Sequence, residues 1–165
     1  MAKTILDFFR KIFGKRLAVF ICSMIPIVEL RGAIPLGAGL GLSWWENYIL
    51  CVVGNMLPIP FILLLIKWFI GVLKNTKKFS KLALWLEEKA AKNQSKVEKY
   101  GFWGLALFVG IPLPMTGAWT GALVAALIDV KFWRAMLATF IGVCLAGAIM
   151  TLASYGVVGF LSAIL

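Results

Sequence analysis

The chain has no histidine, only three cysteines, and only 7 acidic residues among 165. Without histidine, and with Cys22, Cys51 and Cys144 far apart inside apolar runs, the common zinc arrangements have no ligands and no disulfide framework can be laid out. Buried thiols packed as small apolar groups are the natural reading of these cysteines. No nucleophile–base pair or metal cluster appears either, which argues against an enzyme; no catalytic residue, metal or cofactor is assigned. Charge of any sign is scarce. Charged residues make up 15% of the chain, where about 25% is usual, and apolar residues make up 62%, against roughly 45–50% in a soluble domain. A soluble globule of this composition would expose large apolar patches and aggregate. The composition therefore describes an all-α integral membrane protein.

The charge that is present is mostly basic, giving a net +10. Scattered over a soluble fold, it would point to nucleic acid. Instead it is clustered: five of the 17 basic residues are Lys3, Arg10, Lys11, Lys15 and Arg16, and eight more fall between Lys74 and Lys99. Such blocks beside apolar spans are flanking segments of a membrane protein, so the partner is the lipid bilayer and not nucleic acid.

Four segments follow from the hydropathy pattern. Residues 1–16 read as an interfacial amphipathic helix, with Ile5, Leu6, Phe9, Ile12 and Phe13 on one face. Residues 17–73 form a first membrane repeat, residues 74–100 a basic amphipathic linker helix, and residues 101–165 a second membrane repeat. A span needs roughly 20 apolar residues, yet the apolar stretch 17–42 carries Pro26, Glu29, Arg31 and Pro35, and the stretch 101–128 carries Pro112 and Pro114 near its midpoint. Each interior proline removes a backbone hydrogen bond and costs roughly 3 kcal/mol. Irregular backbone survives at membrane depth only inside protein or beside a wet cavity. Both stretches thus read as half-helices meeting near mid-membrane, as re-entrant hairpins or broken spans. Pro58 and Pro60 likewise interrupt the stretch 44–73.

The two halves resemble each other. Arg31-Gly-Ala-Ile-Pro-Leu-Gly-Ala superposes on Thr116-Gly-Ala-Trp-Thr-Gly-Ala-Leu at an offset of 85, and Gly41-Leu-Ser-Trp-Trp-Glu46 on Asp129-Val-Lys-Phe-Trp-Arg134 at an offset of 88, which also sets Gly54 on Gly142. Each half is a proline-broken helix pair, an aromatic-charged boundary and a long apolar helix. Inverted repeats are favoured by the broken helices. They place the two basic segments on opposite sides of the membrane, against the positive-inside trend. Parallel repeats would satisfy that trend, and dual insertion as an antiparallel homodimer is a third arrangement.

Glu29 and Arg31 are the first candidates for a site. Central charges in a span cost about 2.5–3.5 kcal/mol each on insertion scales. If residues 17–28 formed a complete crossing, it would be only about 18 Å long, short of the roughly 30 Å hydrocarbon core. A buried Glu29 could exchange a proton or hold a cation, and Arg31 could offer its planar fork to phosphate or carboxylate. Gly110-Ile-Pro-Leu-Pro-Met-Thr-Gly-Ala-Trp-Thr-Gly121 is the candidate partner motif. Pro112 and Pro114 break the helix there, Gly117 permits close backbone approach, Thr116 and Thr120 supply hydroxyls, and Trp119 could wall off a substrate. Pro35 and Asn55 complete the set, Asn55 as either a substrate contact or an interhelical hydrogen bond.

Glu29-Leu-Arg-Gly-Ala-Ile-Pro35, Gly54-Asn-Met-Leu-Pro-Ile-Pro60 and Pro112-Leu-Pro-Met-Thr-Gly-Ala-Trp-Thr-Gly-Ala122 together closely resemble a bacterial and archaeal family of small multidrug export proteins, over about residues 20 to 150. That family is distantly similar to the DedA/VTT superfamily, for which paired re-entrant hairpins and movement of lipids or small ions are implied; Glu29 and Arg31 match its charged residues only loosely. The resemblance implies a multi-pass protein of a prokaryotic plasma membrane. The expected function is ion- or proton-coupled transport, with a proton or sodium as coupling ion and a small amphipathic solute or phosphate-headed lipid as substrate. A DedA-like lipid flippase or scramblase and a non-transporting membrane assembly protein are the alternatives. A homo-oligomer is expected, with Gly142, Ala146, Gly147, Gly156 and Gly159 as close-contact positions.

Overall fold

The structure is a computed structural model, and it describes residues 14–65, 84, 88, 101–112, 116–127 and 130–164. The expected amphipathic helix of residues 1–16 and the linker helix of residues 74–100 lie almost wholly outside the described residues, as do Pro114 and Asp129. Among the described residues every regular element is helical and no strand occurs. In chain order these are α1 (residues 14–24), α2 (Glu29–Gly39), α3 (Trp44–Met56), α4 (residues 59–65), α5 (Gly101–Gly110), α6 (Ala118–Leu127) and α7 (Phe132–Ile164). They form two compact units, Met1–Pro58 with Val143–Leu165, and Ile59–Gly142.

Among the described residues two helices are long and apolar enough to cross a membrane, Trp44–Leu65 with 22 residues and Phe132–Val157 with 26. At 1.5 Å per residue these reach about 33 and 39 Å, against a hydrocarbon core of roughly 30 Å. The core helices of a soluble protein would be mostly buried, but only 33% and 44% of the most apolar windows here are. On α3 and the turn after it Trp45, Ile49, Val53 and Leu57 are exposed at intervals of four, one continuous apolar ridge. Its opposite face buries Asn47, Cys51, Gly54 and Asn55. An exposed apolar stripe backed by a buried polar one is a lipid-facing helix, not a water-facing one.

Proline chemistry sets the joints, with one departure from the sequence expectation. The first stretch breaks at residues 25–28, around Pro26, where Glu29 and Val28 donate to Ile25. Pro35 does not break the chain and lies inside α2. Its missing N–H concerns one helical bond, the one that the Arg31 carbonyl would otherwise accept, and its ring is exposed where it meets no packed neighbour. The interruption at Pro58 is likewise only a turn at residues 57–58, after which the helix resumes. α2 closes with a Schellman motif: Leu42 donates to Gly37 O at 3.1 Å and Gly41 to Ala38 O at 3.0 Å. Gly41 holds φ +69°, the left-handed position that this closure requires and glycine tolerates.

In the first unit the helices order themselves through specific contacts. Arg16 at the start of α1 pairs with Glu46 at the start of α3. Further along both helices, Gly54 sits so close to α1 that a methyl group there would lie 2.7 Å from the Phe20 carbonyl oxygen. α1 and α3 therefore run parallel, and α2 returns antiparallel to the level where α1 began. Asn47 holds the assembly together. Its Nδ2 donates to Ile34 O at 2.8 Å and to Tyr155 Oη at 3.1 Å, while its Oδ1 accepts from Cys51 Sγ at 3.5 Å. Tyr155 in turn donates to Leu42 O at 2.7 Å, and Tyr48 donates to Cys144 O at 3.1 Å. Along α7 from Cys144 to Tyr155 the partners step back from Tyr48 to Leu42, so α7 runs antiparallel to α3 there.

In the second unit α5 is the central element. Gly121 of α6 packs against Val109 and Leu105, and a methyl at Gly142 of α7 would lie 2.6 Å from the Ala106 carbonyl oxygen. Gly147, in the first unit, packs on Tyr48 and Val52. Gly142, Ala146 and Gly147 are thus buried inside the chain and are not available as contact positions for a second copy. Gly156, in contrast, is exposed.

Replacing Asn47 with Ala removes hydrogen bonds to three partners and should cost about 2–3 kcal/mol, whereas Tyr155→Phe should cost about 1 kcal/mol. Because both belong to one network, the double variant should lose less than the sum. Denaturant unfolding in detergent micelles measures all three.

Candidate functional site

Glu29 is the first residue of α2 and directly follows the break. It is 6% exposed, and among the described residues it is the only buried acidic side chain. Its φ is +48°, the one non-glycine residue with positive φ among those described. A left-handed conformation costs a non-glycine residue roughly 1–2 kcal/mol. The αR-to-αL step at Val28–Glu29 is what turns the chain from α1 into α2, and a glycine would make that turn without strain. That a glutamate stands there, buried at the irregular centre of an apolar stretch, is an outlier of the kind that clusters at functional sites.

Arg31 is half-buried and interacts electrostatically with Glu29. The pair therefore offsets its own charge, which lowers the cost of keeping either group away from water. Pro35 lies one turn further along α2. Asn55 is 1% exposed, and its Oδ1 has no hydrogen-bond partner in the structure. It lies on the same face of α3 as Asn47 and Cys51, two turns beyond Asn47. Glu29, Arg31, Pro35 and Asn55 all belong to the first unit.

The remaining candidates belong to the second unit. Thr116 Oγ1 donates to Ile111 O at 3.1 Å, tying the two sides of the segment between α5 and α6. Gly117 is buried and its carbonyl accepts from Gly121 at 2.8 Å, opening α6. Pro112, Trp119 and Thr120 are half-buried. Pro114 is outside the described residues. Among the described residues no three of His, Cys, Asp and Glu gather as a metal site. Cys22 and Cys51 are buried free thiols, and Cys144 is partly buried.

Sequence reasoning did not single out Asn47, which anchors the helices that present Glu29 and Asn55. The signal was present as Asn47, Cys51 and Asn55 at i, i+4 and i+8, a polar stripe on an otherwise apolar helix. The left-handed backbone at Glu29 left no trace in residue type.

Two span-length apolar helices, one with an exposed apolar ridge, and a charged pair at a helix break fit a membrane protein. A family profile described as "Putative small multi-drug export protein" matches residues 29–149, and the chain belongs to that family. The match begins at Glu29 itself. No curated protein and no solved structure matches the chain.

The strain at Glu29 gives a test with an inverted sign. Inside a regular helix Ala is more stable than Gly by about 1 kcal/mol. At position 29 the order should reverse, with Glu29→Gly more stable than Glu29→Ala by about 1 kcal/mol, since both lose the same carboxylate and only Gly relaxes the backbone. Paired unfolding curves of the two variants decide it.

Proposed function

We propose that this protein is an ion-coupled transporter of the prokaryotic plasma membrane, with Glu29 and Arg31 at its substrate and coupling site. The observation that carries the reading is the strained, buried Glu29 beside Arg31 at a helix break. Charges held in that setting mark ion and substrate pathways. Arg31 receives the anionic group of a small amphipathic solute or a phosphate-headed lipid, through its bidentate fork. Glu29 takes the coupling proton or sodium ion. A substrate anion that claims Arg31 leaves Glu29 without its counter-charge, so anion and cation bind together and move together. The protein acts by transport and not by chemistry on its substrate. The family description names export, in keeping with this class of function.

The architecture in this reading is a pair of inverted repeats, α1–α2 with the Trp44–Leu65 helix and α5–α6 with α7. Three observations support it. Helix order is the same in both. Gly54 presses on the Phe20 carbonyl of the first helix as Gly142 presses on the Ala106 carbonyl of the fifth. The long helices run antiparallel where α7 packs on α3, as inverted copies must. The Arg16–Glu46 pair supports α1–α2 as a re-entrant hairpin, since it brings the entry and exit of that hairpin to one level. A homo-oligomer in this reading associates through the exposed apolar ridge.

Three measurements follow. In proteoliposomes Arg31→Lys should weaken substrate binding by about tenfold or more, because a point charge cannot replace two parallel hydrogen bonds; unchanged transport would remove Arg31 from the site. Glu29→Gln should abolish the pH dependence of substrate binding between about pH 5.5 and 8.5, where wild type retains it if the proton is the coupling ion. Ser43→Cys and Lys131→Cys occupy equivalent exposed boundaries of the two halves. In a background lacking the native cysteines, an impermeant thiol reagent should label them from opposite sides of the membrane; labelling from one side would overturn the inverted repeat.

A further inference from the structure

Asn55 Oδ1 is a hydrogen-bond acceptor at a 1% exposed residue, with nothing in the structure donating to it. An orphaned buried acceptor costs about 1–3 kcal/mol and calls for an occupant. Its position in the chain points to what that occupant is. Pro58 has no N–H to return to the Gly54 carbonyl, so α3 approaches its end with a backbone oxygen adjacent in sequence to the Asn55 amide oxygen. The end of a helix that carries such carbonyls is also the negative end of its dipole. Depth brings in a third oxygen donor. Asn55 lies about 12 Å beyond Asn47 along α3, and Glu29 lies about 10 Å from the Ile34–Gly37 segment that Asn47 touches, measured along α2 in the same direction. Glu29 and Asn55 thus share one level of the first unit.

We propose that Asn55, with the Gly54 carbonyl and the Glu29 carboxylate, binds a sodium ion. The inference rests on the reading of Glu29 as the coupling site and names the ion that couples. The donor set is oxygen only, and hard cations take oxygen ligands. One carboxylate, already facing Arg31, is little charge for a calcium site, and magnesium would need several waters or phosphate oxygens besides. A proton on Glu29 can satisfy at most one acceptor, whereas a cation engages several oxygen donors at once. Sodium at Asn55 also draws the Glu29 carboxylate away from Arg31, which frees the guanidinium for an anionic substrate. Half-helix ends supplying carbonyls to a sodium ion at a helix break are an established use of such geometry in transporters.

The test is thermal unfolding of the purified full-length protein in detergent, at constant ionic strength, in sodium, potassium or choline chloride. Sodium should raise the midpoint saturably by about 3 °C or more, and potassium and choline should not. Asn55→Leu should lower the apparent sodium affinity by at least roughly tenfold. Asn55→Asp keeps an oxygen and adds charge, so it should bind sodium at least as tightly, and it decides the matter should the leucine variant not fold. Thr151→Val, which alters another buried hydroxyl with no partner in the structure, should retain the wild-type response. No sodium-specific shift in wild type, or a full response in Asn55→Leu, overturns the proposal. Stabilisation by low pH alone would show that a proton is the occupant and overturns it too. Proton-driven uptake without sodium stabilisation would sink the sodium site and leave the transport reading standing. Sodium stabilisation without any uptake in vesicles would do the reverse.

Discussion

A buried asparagine away from water has two N–H groups and an oxygen to satisfy, and in the first unit Asn47 meets all three with groups from three helices. Its donors go to α2 and α7, and its acceptor takes the Cys51 thiol one turn further along α3. Gly37 carries no side chain because the Asn47 amide occupies the space where one would be. Apolar packing contributes little direction to helices in lipid, since tails and side chains are equally apolar. Directional bonds fix rotation and register instead. With Asn47 in place, α2 can stand antiparallel to α3 only in the register that brings Glu29 to the level of Asn55.

Much of this was legible in the sequence, and for identifiable reasons. Pro26 marks a helix break because it lacks the N–H that would continue α1, and the Cys22 carbonyl accepts from Ile25 in a tighter turn instead. The boundaries before Trp44 and Phe132 follow from aromatic and charged residues meeting apolar runs. Glu29 and Arg31 stand out because charge in an apolar stretch has no packing explanation. The role of Pro35 was less legible, because sequence shows a lost donor without showing whether the helix can carry the loss. The small residues of α7 were legible as close-contact positions but not as to partner. Gly142 and Gly147 meet Ala106 and Tyr48 of the same chain, and the spacing that favours a neighbouring molecule favours an internal helix equally.

Asn47 and Asn55 make the sharpest comparison. They lie on one face of one helix, eight positions apart, and both are buried to within about 1% of complete. One has every polar group engaged, and the other keeps an acceptor with no partner in the structure. If position 55 were needed only for packing, a leucine or alanine would serve without the desolvation cost. If it joined helices as Asn47 does, its oxygen would be bonded as that of Asn47 is. Neither account leaves a reason for the residue. The same reasoning applies to Glu29, where glycine would turn the chain without strain and an apolar residue would be buried without cost. Two positions at one depth thus each carry a residue that stability alone would not place there. Asn55 retains an oxygen with no partner within the fold, which is the pattern of a site whose occupant completes the structure.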